Sequence, residues 1–304
     1  MSTSTVVSHT VDERAVLRQL TWIHAKRFAT HPLFIVGVVL LLIGFAAIAN
    51  DAPTDPSTLA AAGWQPAFLL GVFGLVVSYR LTRTEDRALA LLPSTPVSAS
   101  TRTLALLGAC LVPAATALAY LLMRLVAYTV WEPYPGLVET IGGPGVAGVV
   151  LLDGIVIASF GGPALGVATA RWLRFPGAGV LVAVVLTVVV AVTSGAASQT
   201  DSGEGPREEV VALQAAATTM PWTSYVVVNC GDSAEAEVQF ACELSAVRDG
   251  SPFGHALYAL FLSGLACWAA MIRVAEGAVR RRWVSIGWVC AIGAAFSLAW
   301  ALLG

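Results

Sequence analysis

Side chains able to do chemistry are few in this sequence, and three places in it group them suggestively. From Arg80 the chain reads Arg-Leu-Thr-Arg-Thr-Glu-Asp-Arg, and soon after Leu-Leu-Pro-Ser-Thr-Pro-Val-Ser over residues 91–98. Arg80, Arg83 and Arg87 fall at i, i+3 and i+7 and so share one helical face, with Glu85 and Asp86 between them. Such a cluster can grip a complementary protein surface through ion pairs; the alternative is a solvated basic loop that only sets orientation. Arg124 and Asp153 stand alone inside two apolar runs. Counted inward at about 1.5 Å per residue from the outer ends, both lie around 10 Å deep. An isolated charge there is costly, so the two are expected to pair. Cys230 and Cys242 occupy a polar segment with eleven residues between them. Facing an oxidising exterior they would close a disulfide contributing about 2–4 kcal/mol, with free thiols as the alternative.

Catalytic patterns are missing. The chain has no Gly-x-x-x-x-Gly-Lys-Ser/Thr phosphate loop, no His-Glu-x-x-His and no Gly-x-Ser-x-Gly, and its four histidines, His9, His24, His31 and His255, are scattered. One intramembrane carboxylate is too few for a two-acid mechanism. We therefore expect no enzyme, no metal and no cofactor in this chain, and no nucleic-acid binding, since no basic residues interleave with aromatics on a polar surface.

The elements that must position these residues follow from composition. Of 304 residues 57% are apolar and only 12% charged, and the mean hydropathy is +0.77, which marks an all-α integral membrane protein. Seven apolar runs, at about 33–49, 64–80, 104–130, 146–170, 178–197, 254–275 and 284–303, are near the ~20 residues that cross a hydrocarbon core. Residues 1–10 are expected to be disordered and residues 11–32 to form a cytosolic amphipathic helix lying on the membrane. Its apolar face would be Val16, Leu17, Leu20, Ile23 and Phe28, and Pro32 would break it. With the amino terminus inside, 14 of the 17 Lys and Arg fall in cytosolic segments and 13 of the 19 acids in outer ones. Residues 82–103 become a cytosolic elbow, in which Pro93 and Pro96 force a bend and a new helix starts near Ser98 or Ser100. Pro113 is a candidate kink in the third run, and Gly161-Gly162-Pro163 a candidate bend in the fourth. Residues 198–253 form the large outer loop.

The basic-aromatic stretch Ile23-His24-Ala25-Lys26-Arg27-Phe28 before the first span, the elbow Leu91-Leu92-Pro93-Ser94-Thr95-Pro96-Val97-Ser98 and the bulky segment between the fifth and sixth spans resemble the membrane subunits of type-2 ATP-binding-cassette exporters. The resemblance implies a six-helix permease core, here with a seventh, C-terminal helix, in a bacterial cytoplasmic membrane. It implies a second permease subunit, identical or not, and a separate ATPase subunit docked through the amphipathic helix and elbow by Arg83, Glu85, Asp86 and Arg87, with Pro93 and Pro96 shaping the contact. The rival reading is a membrane-anchored sensor whose outer loop binds a partner.

Overall fold

Proline, glycine and charge decide where the helices of this chain begin and end. The computed structural model describes residues 13–51, 66–91, 97–131, 149, 152–199 and 251–303. Pro93 and Pro96, the loop residues 201–250 with Cys230 and Cys242, and residues 1–10 lie outside the described residues. Helix α1 (Glu13–Ala29) ends one turn before Pro32, and α2 (Pro32–Asp51) leaves at 60° to it. Pro32 suits the first position of α2 because its missing N–H would be unpaired there in any case. The His31 imidazole accepts the next free donor, Leu33 N–H, at 3.2 Å. Across the bend Phe28 and Phe34 meet edge to face with ring centroids 5.2 Å apart, which fixes the angle by packing.

The later elements follow the same logic. Helix α3 (Phe73–Leu91) grows out of a π-helical turn at Ala67–Val72 and continues through the whole arginine cluster. Ser98 caps α4 (Ala99–Ala109), its hydroxyl accepting Thr101 N–H at 3.1 Å. Helix α5 (Leu111–Trp131) follows after a break at Cys110. Pro113 has no N–H to offer the carbonyl of Ala109, which accounts for the break falling there. A second π-helical turn, Leu152–Ile157, leads into α6 (Ala158–Trp172), and α7 (Ala178–Gln199), α8 (Pro252–Ile272) and α9 (Gly277–Leu303) complete the all-α set among the described residues.

Five stretches are long and apolar enough to cross a membrane: Ala67–Ala88, Ala99–Ala127, Gly154–Trp172, Phe253–Ile272 and Gly277–Ala301. A sixth is reached if α1 and Pro32–Ala47 are counted together. Seven runs were expected; the difference lies at α2 and at α7, whose apolar described part is only Ala178–Val189. Glu13, Arg14, Arg18, Lys26 and Arg27 keep α1 itself out of hydrocarbon.

Helix α6 is the centre of the bundle, touching α3, α4, α5, α7 and α8. Its span is 72% buried, against 22% for α9, which turns Trp288, Val289, Ile292 and Phe296 outward. Small residues make that enclosure possible. A Cβ added to Gly162 would strike the carbonyl of Gly71, and one added to Gly166 would strike the carbonyl of Leu75 and the hydroxyl of Ser78. The Ser78 hydroxyl donates to the Pro163 carbonyl at 2.7 Å, tying α3 to α6 at that crossing. Helix α6 runs through Gly161-Gly162-Pro163 without a break, and Gly162 there serves close approach to α3.

The expected apolar face of α1 needs correcting. Of its five residues Ile23 is 39% exposed, whereas Phe28 is buried and Val16, Leu17 and Leu20 are half-buried, and the buried His24 with the half-buried Thr21 and Ala25 joins them. The inward stripe therefore runs through positions 17, 20, 21, 24, 25 and 28, a regular helical spacing. What it meets is chiefly α4, approached closely enough that a Cβ on Gly108 would lie 2.8 Å from Thr21 Cγ2.

Candidate functional site

The basic segments of four elements come together at one end of the bundle. Residues expected in separate inner loops are neighbours there, joined by polar contacts. Asp86 on α3 accepts from Arg171 at the end of α6, Nη1 to Oδ1 at 2.5 Å. The second arm of Arg171 donates to Thr103 Oγ1 on α4 at 2.9 Å. Glu85 lies between Arg102 Nε on α4 at 3.7 Å and His24 Nε2 on α1 at 3.8 Å. Arg102 also donates to the Val97 carbonyl at 3.0 Å, closing the start of α4 against the elbow.

The two acids of the expected docking cluster thus have partners within the chain. Glu85 keeps only 12% of its side-chain exposure and Asp86 31%. Helical geometry explains the split: with α3 packed on α4 and α6, positions 82, 85 and 86 turn inward, and Thr82 is fully buried. Arg83 is half-buried and donates through Nη2 to the Arg174 carbonyl at 2.9 Å. Arg87 is exposed. Of the six residues expected to dock a partner, the structure places two in an internal network, one on the α6–α7 connection and one on the surface. Pro93 and Pro96 fall outside the described residues.

His24 was read only as part of a sequence stretch, and its place in the network was missed. Burial, with Arg27 adding to it, pushes its imidazole down to about 4. At neutral pH it is uncharged, and its contact with Glu85 is polar rather than ionic. The signal available was spacing: His24 stands four residues after Leu20 and four before Phe28, in the middle of the inward stripe.

The second expected pair is partly described. Arg124 is buried, 8% exposed, and its Nη1 has no hydrogen-bond partner among the described residues. Asp153 belongs to the π-helical turn Leu152–Ile157, but its side chain lies outside the described residues, so the pairing does too. Cys110, Cys267 and Cys290 carry free thiols.

What the arrangement can do chemically is transmit force. Helices α3, α4 and α6 are cross-linked at one end by the bonds of Arg171 to Asp86 and Thr103, and α1 is set against them through the polar contact of His24 with Glu85, so a push on one bonded helix is carried to the others. No family model, no curated protein and no solved structure matches the chain. It is a multi-pass, all-α membrane protein.

Proposed function

We propose that the chain is the permease subunit of an ATP-driven exporter of the type-2 ATP-binding-cassette kind, working in a bacterial cytoplasmic membrane beside a second permease subunit. The ATPase is a separate chain, and this one performs no catalysis itself. The observation that carries the reading is the joint made by Glu85 with His24 and Arg102, and by Asp86 with Arg171 and Thr103. It couples the amino-terminal helix, the helix leading into the elbow, the helix leaving it and the central span. A partner pressing on the elbow from the basic end would tilt α3 and α6 together, and α1 with them. Access to a cavity between two permeases would then alternate without any reacting group in the spans.

In this reading Arg87 meets the ATPase directly, and Glu85 and Asp86 hold the elbow in shape rather than touching the partner. The test is co-expression with the ATPase encoded beside this chain, using Arg83→Glu together with Arg87→Glu. Loss of co-purification and of coupled ATP hydrolysis is the expected result. An unchanged complex with unchanged hydrolysis overturns the elbow as the docking site, and a gene setting that lacks any nucleotide hydrolase counts against the exporter reading altogether.

A further inference from the structure

Next to the joint lies a cavity of about 470 Å³ lined by Arg83, Asp86, Arg171, Arg174, Arg273 and Val274, with Ala170 at its wall. Four guanidinium groups face one carboxylate there, an excess of three positive charges. The carboxylate is already held by Arg171, whose other arm is bonded to Thr103. Arg83 spends Nη2 on the Arg174 carbonyl. The exposed side chains of Arg174 and Arg273 bring donors that no described polar group takes up, and like charges gathered this way repel unless an anion joins them.

The rim says where this pocket stands. Trp172 is 53% exposed, and Leu173 and Phe175 beside it are also exposed, all at the end of a span. The Trp172 indole is fixed by donating Nε1–H to the Ala269 carbonyl at 2.8 Å, and the Arg273 guanidinium lies over its ring, 5.4 Å from the centroid. Exposed aromatics at the end of a membrane helix mark headgroup depth. A pocket of arginines at that depth, opening between helix ends, has the form that takes acidic headgroups. The planar guanidinium fork suits a phosphate's oxygens pairwise.

We propose that this pocket binds a phosphate-bearing anion, Arg174 and Arg273 making the direct bonds and Arg83 and Arg171 supplying the field, and that the phosphate is that of an anionic phospholipid. Trp172, Leu173 and Phe175 lie against the lipid's glycerol and upper acyl carbons. The site does not depend on the exporter reading, because its ligand is present in the membrane whether or not an ATPase docks.

The test uses the full chain purified in neutral detergent and titrated with dihexanoyl phosphatidylglycerol, dihexanoyl phosphatidylcholine and inorganic phosphate, binding being followed by calorimetry. Phosphatidylglycerol is expected to bind at least tenfold more tightly than phosphatidylcholine. The double variant Arg174→Gln, Arg273→Gln should weaken it at least tenfold, while Arg281→Gln, Arg282→Gln, which alters the basic start of α9, should change it less than twofold. Arg83 and Arg171 are left in place, so the bonds to the Arg174 carbonyl and to Asp86 survive and the fold with them. Inorganic phosphate binding as tightly as phosphatidylglycerol would keep the phosphate site and overturn the lipid as its source. Equal lipid binding by the native chain and the Arg174, Arg273 variant overturns the proposal. So does a double variant that binds lipid normally but loses a co-expressed ATPase, which would make the pocket a protein-docking surface.

Discussion

The two halves of helix α3 are held to the bundle by different physics. Its first half, with the turn Ala67–Val72 before it, meets α6 backbone to backbone, where Gly162 and Gly166 let the carbonyls of Gly71 and Leu75 approach and Ser78 bonds across. Its second half, Arg80 to Arg87, is held by side-chain charge: Asp86 to Arg171, Glu85 to Arg102, Arg83 to a carbonyl. Close steric contact has one solution and no give, since an interior cannot deform continuously. Charge-assisted bonds at a half-solvated surface can be exchanged for equivalent ones on a partner at little net cost. The first half is therefore a fulcrum and the second a handle.

The sharpest way to break that contrast is at the fulcrum. Gly166→Leu would drive a branched side chain into the Leu75 carbonyl and the Ser78 hydroxyl, neither of which can retreat without moving α3. Overpacking typically costs about 1–3 kcal/mol, and a clash with unyielding backbone lies at the upper end of that range. We expect most of the folded protein to be lost, read by size-exclusion profile and thermal unfolding in detergent. A variant with native yield and unfolding temperature would show that the crossing is loose. Gly108→Ala is the gentler counterpart. The atoms nearest its new Cβ are those of the Thr21 side chain rather than backbone, so a loss below about 1 kcal/mol is expected there.

Acid should act next, on the seat of α1 against the handle. His24 is held down to about 4 when folded, against about 6.5 for an unperturbed imidazole. Between those values the unfolded chain binds a proton that the folded chain refuses, so stability is full above about pH 6.5 and falls as pH drops toward 4. The groups facing it are Arg27 on its own helix, Glu85 on α3 and Arg102 on α4. The loss has a ceiling of about 3 kcal/mol. His24→Leu should flatten the fall of unfolding temperature with pH over that window. An identical slope would show that His24 titrates freely and that α1 is not seated on the handle.

How far all this could be read from residue order depends on the range of the cause. Local causes were legible: the Ser98 cap, the break before Pro32, the interruption ahead of Pro113 and the continuous helical face of Arg80, Arg83 and Arg87 each depend on residues a few positions apart. The gathering of basic segments at one end was legible too, because a charge asymmetry is counted over loops and needs no contact map. Partners distant in the chain were not. Asp86 and Arg171 are 85 positions apart, and no pattern near either names the other, so both acids of the cluster were assigned to an outside partner. Gly162 and Gly166 were legible only by halves. Gly161-Gly162-Pro163 signals a bend, while the four-residue spacing from Gly162 to Gly166 signals close approach, and the packing against α3 shows the second. His24 was hidden because a helix laid on a membrane and one laid on protein share the same periodicity.

Within the handle, Asp86–Arg171 and Arg87 mark the inner and outer extremes. Arg171→Ala leaves Asp86 without its cation and Thr103 Oγ1 without its donor, in a site where Arg171 keeps 9% of its side-chain exposure. A half-buried pair broken this way costs about 2 kcal/mol, less than a fully buried one because water reaches Asp86. Arg171→Lys should restore less than half of that, since an ammonium cannot bond both groups in the same fork. Arg87→Glu should shift stability by less than about 0.5 kcal/mol, the exposed side chain having no described partner to lose. If the handle exists to be gripped, this least destabilising change should nonetheless remove a co-expressed ATPase at unchanged unfolding temperature. Stability loss and docking loss would then be separable along one helix, inward-facing residues governing the first and outward-facing ones the second. Arg171→Ala and Arg87→Glu lowering stability and docking in the same proportion would mean that α3 has no distinct handle, and that its second half is an ordinary part of the bundle.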